Sequence, residues 1–498
     1  MNIKQAKEYI KDSVRLYLKK DEFGEYKIPV VRQRPIFLLG SPGIGKTAIM
    51  EQIASELNIA LVSYSMTHHT RQSALGLPFI TKKQYGDQEY SVSEYTMSEI
   101  IASVYETMEQ SGVKEGILFL DEINCVSETL APSMLQFLQY KIFGKHQVPE
   151  GWVIVTAGNP PEYNKSVREF DVVTMDRLKV LEVEADYDTW KNYAKEKGIH
   201  GSITSFLELK KEYFYHIETT VKGRVYVTAR GWEDLSQILY LYEEDHLLVS
   251  EELIGQYIRS EKIVKEFGAY YDLYQKYKKN YHVDEILVGK VEASIVEKAK
   301  NAPFDERLSL LSLLIDRVQA DIKENMEMAT YLQDLMAGLK AVKASEQVLI
   351  ALEKQLEQRN VSLKKMEKSG ALSAIDKKKY KGIIFFMEDA KKSILADGVT
   401  ESEKQFEIIK QKFDHKVDEM KQKTKQCKDE LQYMFSFVES AFEDGNEMLI
   451  LVTELTVNSF SANFIATFGC DAYQEHNSKL LLSERTDELK SQIKELHL

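Results

Sequence analysis

Short apolar runs separated by helix-like segments organise roughly the first 185 residues of the chain. Pro35–Leu39, Ile59–Ser65, Gly116–Leu120, Trp152–Ala157 and Val180–Val183 have strand length. Most are continuously apolar, the pattern expected when both faces of a strand are covered. Thr47–Leu57 follows the first run with helical spacing. Alternating strands and helices predict a parallel sheet with right-handed crossovers and helices on both faces. Two segments interrupt the alternation. Phe79–Val92 sets Gly86-Asp87 among alternating aromatic and polar positions and reads as a β-hairpin. Phe143–Gly151 is a shorter polar insertion just ahead of a strand.

Beyond Tyr187 the strand signals fade, and helices are expected over Tyr187–Lys197, Ile203–Ile217 and Ala229–Tyr242. The chain thus divides into an α/β core over 1–185, a small helical domain over 186–250 and an all-α region over 251–498. In that last region Leu335, Val342, Leu349, Leu356 and Leu363 recur every seven residues, with Leu352 and Met366 at intermediate sites. Phe406, Ile409, Phe413 and Met420 begin a second seam, and Gly370 and Asp397-Gly398 mark turns. A bundle with a long, coiled-coil-like helical hairpin follows, its seams serving internal packing.

Composition narrows the functional classes. The 498 residues carry 78 acidic and 65 basic side chains, a formal net charge of −13. Such a field speaks against nucleic acid or an anionic membrane as partner. Met1–Lys20 is charged throughout, unlike a signal peptide, and its Ile10, Val14, Tyr17 and Leu18 have helical spacing. The longest apolar stretches, Gly382–Met387 and Met448–Val452, are too short to span a bilayer. Cys125, Cys427 and Cys470 form no C-x-x-C pair, so neither a disulfide framework nor a zinc site is expected, and a reduced, cytoplasmic setting is. His68-His69 would point to opposite faces of an extended chain, a poor metal pair, and Cys470 with His476 lacks further ligands.

The chemistry concentrates in the first half. Gly40-Ser41-Pro42-Gly43-Ile44-Gly45-Lys46-Thr47 matches G-x-x-x-x-G-K-[ST], with a strand before it and a helix after it. Its glycines let backbone N–H groups curl around phosphates, and the helix N-terminus adds positive potential. Lys46 is placed to reach the β- and γ-phosphates and Thr47 to give a hydroxyl to Mg²⁺. Ile117–Leu120 then ends in Asp121-Glu122, where open α/β sheets place their ligands. Asp121 is the expected Mg²⁺ partner and Glu122 the general base for the attacking water. Val153–Gly158 leads to Asn159, a third polar residue at a strand end. No Asn-Lys-x-Asp guanine signature is present, since Asn164-Lys165 is followed by Ser166-Val167, so ATP is the expected nucleotide.

A strand ending in Asn159, set between Asp121-Glu122 and a later Asp176-Arg177, resembles the AAA+ ATPases. The resemblance implies that Asn159 is sensor 1, holding the attacking water or touching the γ-phosphate. Met175-Asp176-Arg177-Leu178 is similar to the arginine-finger segment, although the common pattern ends in Phe; Arg168 is the alternative finger. Thr228-Ala229-Arg230-Gly231-Trp232 is similar to sensor 2, with Arg230 as the phosphate contact. Asp121-Glu122-Ile123-Asn124, the insert after Leu75-Gly76-Leu77-Pro78 and the insert before sensor 1 resemble the MoxR-like branch, over about Ile28–Glu244. This implies an AAA+ core with a helical lid, ATP and Mg²⁺ as ligands and a homo-oligomeric, hexameric ring. It also implies a protein substrate or adaptor, such as one carrying a von Willebrand factor A domain. Remodelling of proteins is the expected activity; a nucleic-acid motor or a nucleotide-controlled scaffold are the alternatives.

Overall fold

Residues buried on both faces form the sheet that the apolar runs predict. A computed structural model describes the chain except for residues 69–73, 75, 164–165, 221–222, 371, 444 and 480–498. His69, Leu75 and the Asn164-Lys165 pair therefore lie outside the described residues. The described chain divides into two units, Met1–Thr189 with Lys354–Phe385, and Trp190–Glu353 with Phe386–Leu498.

The first unit holds strands β1 (Ile36–Gly40), β2 (Ala60–Ser65), β3 (Pro78–Tyr85), β4 (Gln88–Tyr95), β5 (Gly116–Asp121), β6 (Ile142–Phe143), β7 (His146–Gln147), β8 (Trp152–Gly158) and β9 (Lys179–Val183). Five of them make one parallel sheet in the order β2-β5-β8-β1-β9. Ile117, Leu118, Phe119 and Leu120 of β5 are fully buried, and all of β8 is buried. Register brings the strand ends to one edge. Ser65 pairs with Asp121, Leu120 with Thr156 and Leu39 with Gly158. The loop after β1 and the residues that close β2, β5 and β8 thus share the carboxyl edge of the sheet.

The interruptions are hairpins. β3 and β4 pair over Pro78–Tyr95, longer than the expected Phe79–Val92, and β6 pairs with β7. Glu94 ties the two hairpins together by accepting from both Lys83 and Lys145, which hold its carboxyl down at about 2. His146 Nε2 also lies 3.1 Å from the Tyr95 carbonyl. Ile80, Tyr85 and Tyr90 of the longer hairpin are exposed.

Lys141 leads into β6. It closes the helix Ala131–Tyr140 in the left-handed region, at φ 57°. Its side chain is buried, and the ammonium donates to Gln33 Oε1 at 2.9 Å and to the Trp152 carbonyl at 2.8 Å.

The second unit is mostly helical, with one departure from expectation. The helix expected over Ile203–Ile217 stops at Leu209. A 3₁₀ turn at Lys211–Tyr213 and an antiparallel pair, β10 (His216–Thr220) and β11 (Gly223–Val227), take its place. Ile217, Thr219, Thr220, Val225 and Val227 are β-branched and favour strand, and Gly223 has the positive φ of 125° that side chains avoid. The core packs Leu310, Leu311, Leu314 and Val318 of the helix Phe304–Lys343 with Leu431, Met434, Phe435 and Val438 of the helix Ser402–Phe442. The sevenfold recurrence does not run along one helix. A break at 344–347 puts Leu335 and Val342 on one helix and Leu349, Leu356 and Leu363 on the next, Val348–Ser369, which from Lys354 on belongs to the first unit. Turns fall at Gly370 and Gly398, both at positive φ. Among the described residues no single helix is long and apolar enough to cross a membrane.

Candidate active site

The loop between β1 and the helix Lys46–Leu57 adopts a phosphate-cradling conformation. Gly43 and Gly45 have φ of 75° and 93°. A β-carbon on Gly45 would meet nothing within 4 Å, so its backbone conformation rather than crowding requires glycine. Gly40 is the opposite case, because a β-carbon there would come within 2.5 Å of the Val183 carbonyl oxygen on β9. The helix that begins at Lys46 is preceded by Gly45, which has no side chain to cap it. Its first N–H groups therefore point into the loop with the positive end of the helix dipole behind them, which suits an anion. Ser41 Oγ lies 3.3 Å from the Tyr163 hydroxyl, and Ile44 is buried against Gly40.

Lys46 is buried and its ammonium lies at the centre of the site. It donates to the Gly40 carbonyl at 2.7 Å, the Ser41 carbonyl at 2.8 Å and Asn159 Oδ1 at 2.9 Å. Thr47 Oγ1 donates to Asp121 Oδ2 at 2.9 Å, so a hydroxyl and a carboxylate converge. Such a hard oxygen pair fits Mg²⁺, which takes one or two protein oxygens and completes its shell with phosphate and water. The loop and this pair together fit a nucleoside triphosphate with its magnesium.

Glu122 sits directly after β5 in the left-handed region, at φ 56° and ψ 37°. Few non-glycine residues adopt it. This conformation ends the strand sharply and starts a 3₁₀ turn over Ile123–Cys125. Ser65, at the end of β2, donates from Oγ to Glu122 Oε2 at 3.2 Å. Asn124, in the turn, donates from Nδ2 to the Asn159 carbonyl at 2.8 Å. Burial and the nearby carboxylates of Glu122 and Asp121 push the Cys125 thiol up, which keeps it a poor nucleophile.

The structure therefore brings together Gly40–Thr47, Asp121, Glu122 and Asn159. The three candidate arginines take no part in these hydrogen bonds. Arg177 is exposed just after the short helix Val172–Met175, and Arg168 is paired with Glu128 at 2.7 Å. Arg230 belongs to the second unit, where it is exposed in the first turn of a helix capped by Thr228. Ser65, Tyr163 and Gly158 drew no functional reading from sequence, and Asn124 served only as a family signature. Ser65 had one usable signal, its position as the last residue of a strand next to the Asp-Glu strand.

A parallel sheet of this strand order, carrying a phosphate loop, an Asp-Glu strand end and an Asn strand end on one edge, defines an AAA+ P-loop core. Residues 35–178 match the family model of the AAA domain, dynein-related subfamily, a group built for ATP-driven work. The match covers less than a third of the chain and ends just ahead of β9. No curated protein matches the chain.

Proposed function

We propose that this chain hydrolyses ATP with Mg²⁺ and uses the cycle to remodel a protein or protein complex, as a ring-forming ATPase of the MoxR-like branch. The observation that carries the proposal is the joined set Lys46–Asn159–Asn124, Thr47–Asp121 and Ser65–Glu122 at the sheet edge. Lys46 and the loop N–H groups bind and orient the phosphates. Thr47 and Asp121 hold the magnesium, which supplies neutralisation of phosphate charge when bound. Glu122 Oε2, oriented by Ser65, accepts the proton of the attacking water, and Asn159 holds that water in line.

In this reading Arg177 reaches the site of a neighbouring subunit and Arg230 reports nucleotide state from the lid. Both need mobility, and their exposure suits such roles. The tied pair of hairpins with exposed Ile80, Tyr85 and Tyr90 supports a protein substrate over a polyanion, as does the negative charge. A hexamer, an adaptor with a von Willebrand factor A domain and a cytoplasmic setting complete the proposal.

The test is Glu122→Gln. It should keep ATP affinity within about threefold while lowering turnover by about 10²-fold or more, since general-base catalysis contributes 10²–10⁴-fold. Capture of a protein by this variant in the presence of ATP supports remodelling. Stimulation of the wild-type ATPase by DNA or RNA would instead favour a nucleic-acid motor, and unchanged turnover by the variant removes Glu122 from the mechanism.

A further inference from the structure

Asn124 lies two residues beyond the proposed base, yet the left-handed turn at Glu122 folds it back beneath the end of β8. Its side chain is 4% exposed. Nδ2 donates to the Asn159 carbonyl at 2.8 Å, and the Asn124 carbonyl accepts from the Arg168 N–H at 2.9 Å. The amide lies flat on Gly158. A β-carbon there would stand 2.5 Å from Asn124 Oδ1, 2.7 Å from Cγ and 3.0 Å from Nδ2. Oδ1 is buried and has no hydrogen-bond partner among the described residues. Rotating the amide would not relieve it, because that would set oxygen against the Asn159 carbonyl oxygen. The site therefore keeps a buried, half-satisfied amide where an apolar residue of similar size would avoid the cost. What the amide gains is one fixed point, the backbone of Asn159, whose own side chain meets Lys46.

We propose that Asn124 is a positioning residue for hydrolysis: it fixes Asn159 relative to Glu122 and Lys46, and Gly158 is glycine so that the Asn124 amide can lie against it. The proposal rests on the ATPase reading above. Asn124 and Glu122 share one short turn, so a shift in either strand end would move the base and the water-holding residue together rather than separately.

The experiment uses the full chain. Asn124→Ala should lower kcat by about 10–100-fold, the scale of a misplacement of about an ångström, with ATP affinity within about threefold of wild type. In the Asn159→Ala background the same change should cost less than about threefold more, because residues acting as one unit are not additive. Gly158→Ala should reproduce the kcat loss. Losses that multiply in the double variant would overturn the proposal, as would a parallel fall of kcat and affinity. Amide hydrogen exchange gives a reading independent of turnover. Asn124→Ala should quicken exchange in the segment just after β8 while β5 and β8 stay protected, and an unchanged pattern there overturns the proposal. A wild-type chain without ATPase activity would instead refute the ATPase reading, and the exchange result would still decide the placement of Asn124.

Discussion

Lys141→Met tests how firmly the sheet is tied to the segments around it. The Lys141 ammonium is buried between Gln33 Oε1 and the Trp152 carbonyl, and burial pushes its pKa from 10.5 down to about 8. In the unfolded chain the group keeps its ordinary value. Below about pH 8 it is protonated in both states, and the fold bears the full cost of burying the charge. A depression of 2.5 units from those two values is about 3 kcal/mol at 1.36 kcal/mol per unit. Between about pH 8 and 10.5 the folded chain has released this proton and the unfolded chain has not, so the cost is relieved as pH rises. Methionine has no such dependence, although it leaves Gln33 Oε1 and the Trp152 carbonyl without their donor, a constant cost of about 1–3 kcal/mol for each group. The measurement is urea unfolding followed through Trp152 at pH 7.5 and 9.5. Both chains would carry Trp190→Phe and Trp232→Phe, so that only the first unit is read. The stability difference between the chain that keeps Lys141 and the Lys141→Met chain should move in favour of lysine by about 2 kcal/mol over that interval. A difference that stays flat within about 0.5 kcal/mol, or that moves toward methionine, would show that Lys141 is solvated or held by an unseen negative partner, and the reasoning would fail.

Two further outcomes concern the nucleotide. Lys46→Ala removes the ammonium at the centre of the loop, and one charge-assisted bond from it to a phosphate would contribute about 1.5–3 kcal/mol. Calorimetry should find Mg·ATP binding weakened by at least about tenfold, and affinity within a factor of two of wild type would exclude Lys46 as a phosphate ligand. Arg177→Ala should bind ATP normally and lose most turnover, then recover activity when mixed with Glu122→Gln subunits; mixtures no more active than either variant alone would count against a shared site.

The parallel sheet was readable because strands covered on both faces announce themselves as unbroken apolar runs, Ile117–Leu120 and Val153–Ala157 above all. The phosphate loop was readable because its glycines and Lys46 act through backbone conformation and local spacing. Three features were not. The β10–β11 pair was lost because Ile203–Leu209 is truly helical and its period was carried on through His216 and Ile217. The sevenfold recurrence was real as a count but spans a helix break at 344–347, so the period alone could not tell one helix from two. Asn124 escaped a role because nothing local says that Glu122 adopts a left-handed conformation, and that one dihedral decides where the next two side chains go.

Three of the contacts that make the site share one property. Thr47 and Asp121 are 74 residues apart, Lys46 and Asn159 113, Ser65 and Glu122 57. No local pattern can encode such pairs; they exist because Ser65 falls opposite Asp121 and Leu39 opposite Gly158 in neighbouring strands. A slip of one residue in any of these pairings would send the terminal side chains to the other face of the sheet. Close packing accompanies the hydrogen bonds at several of these strand ends. Gly40 has no room for a β-carbon against β9, Gly116 none against Ala60 and Trp152, and Gly158 none against Asn124. Gly40 and Gly158 close β1 and β8 at the site, whereas Gly116 opens β5 at the opposite edge of the sheet. At the carboxyl edge, Gly40 and Gly158 thus pack closely right beside the residues that carry Lys46 and Asn159. A substitution that loosens one strand end should therefore disturb turnover before it disturbs the fold.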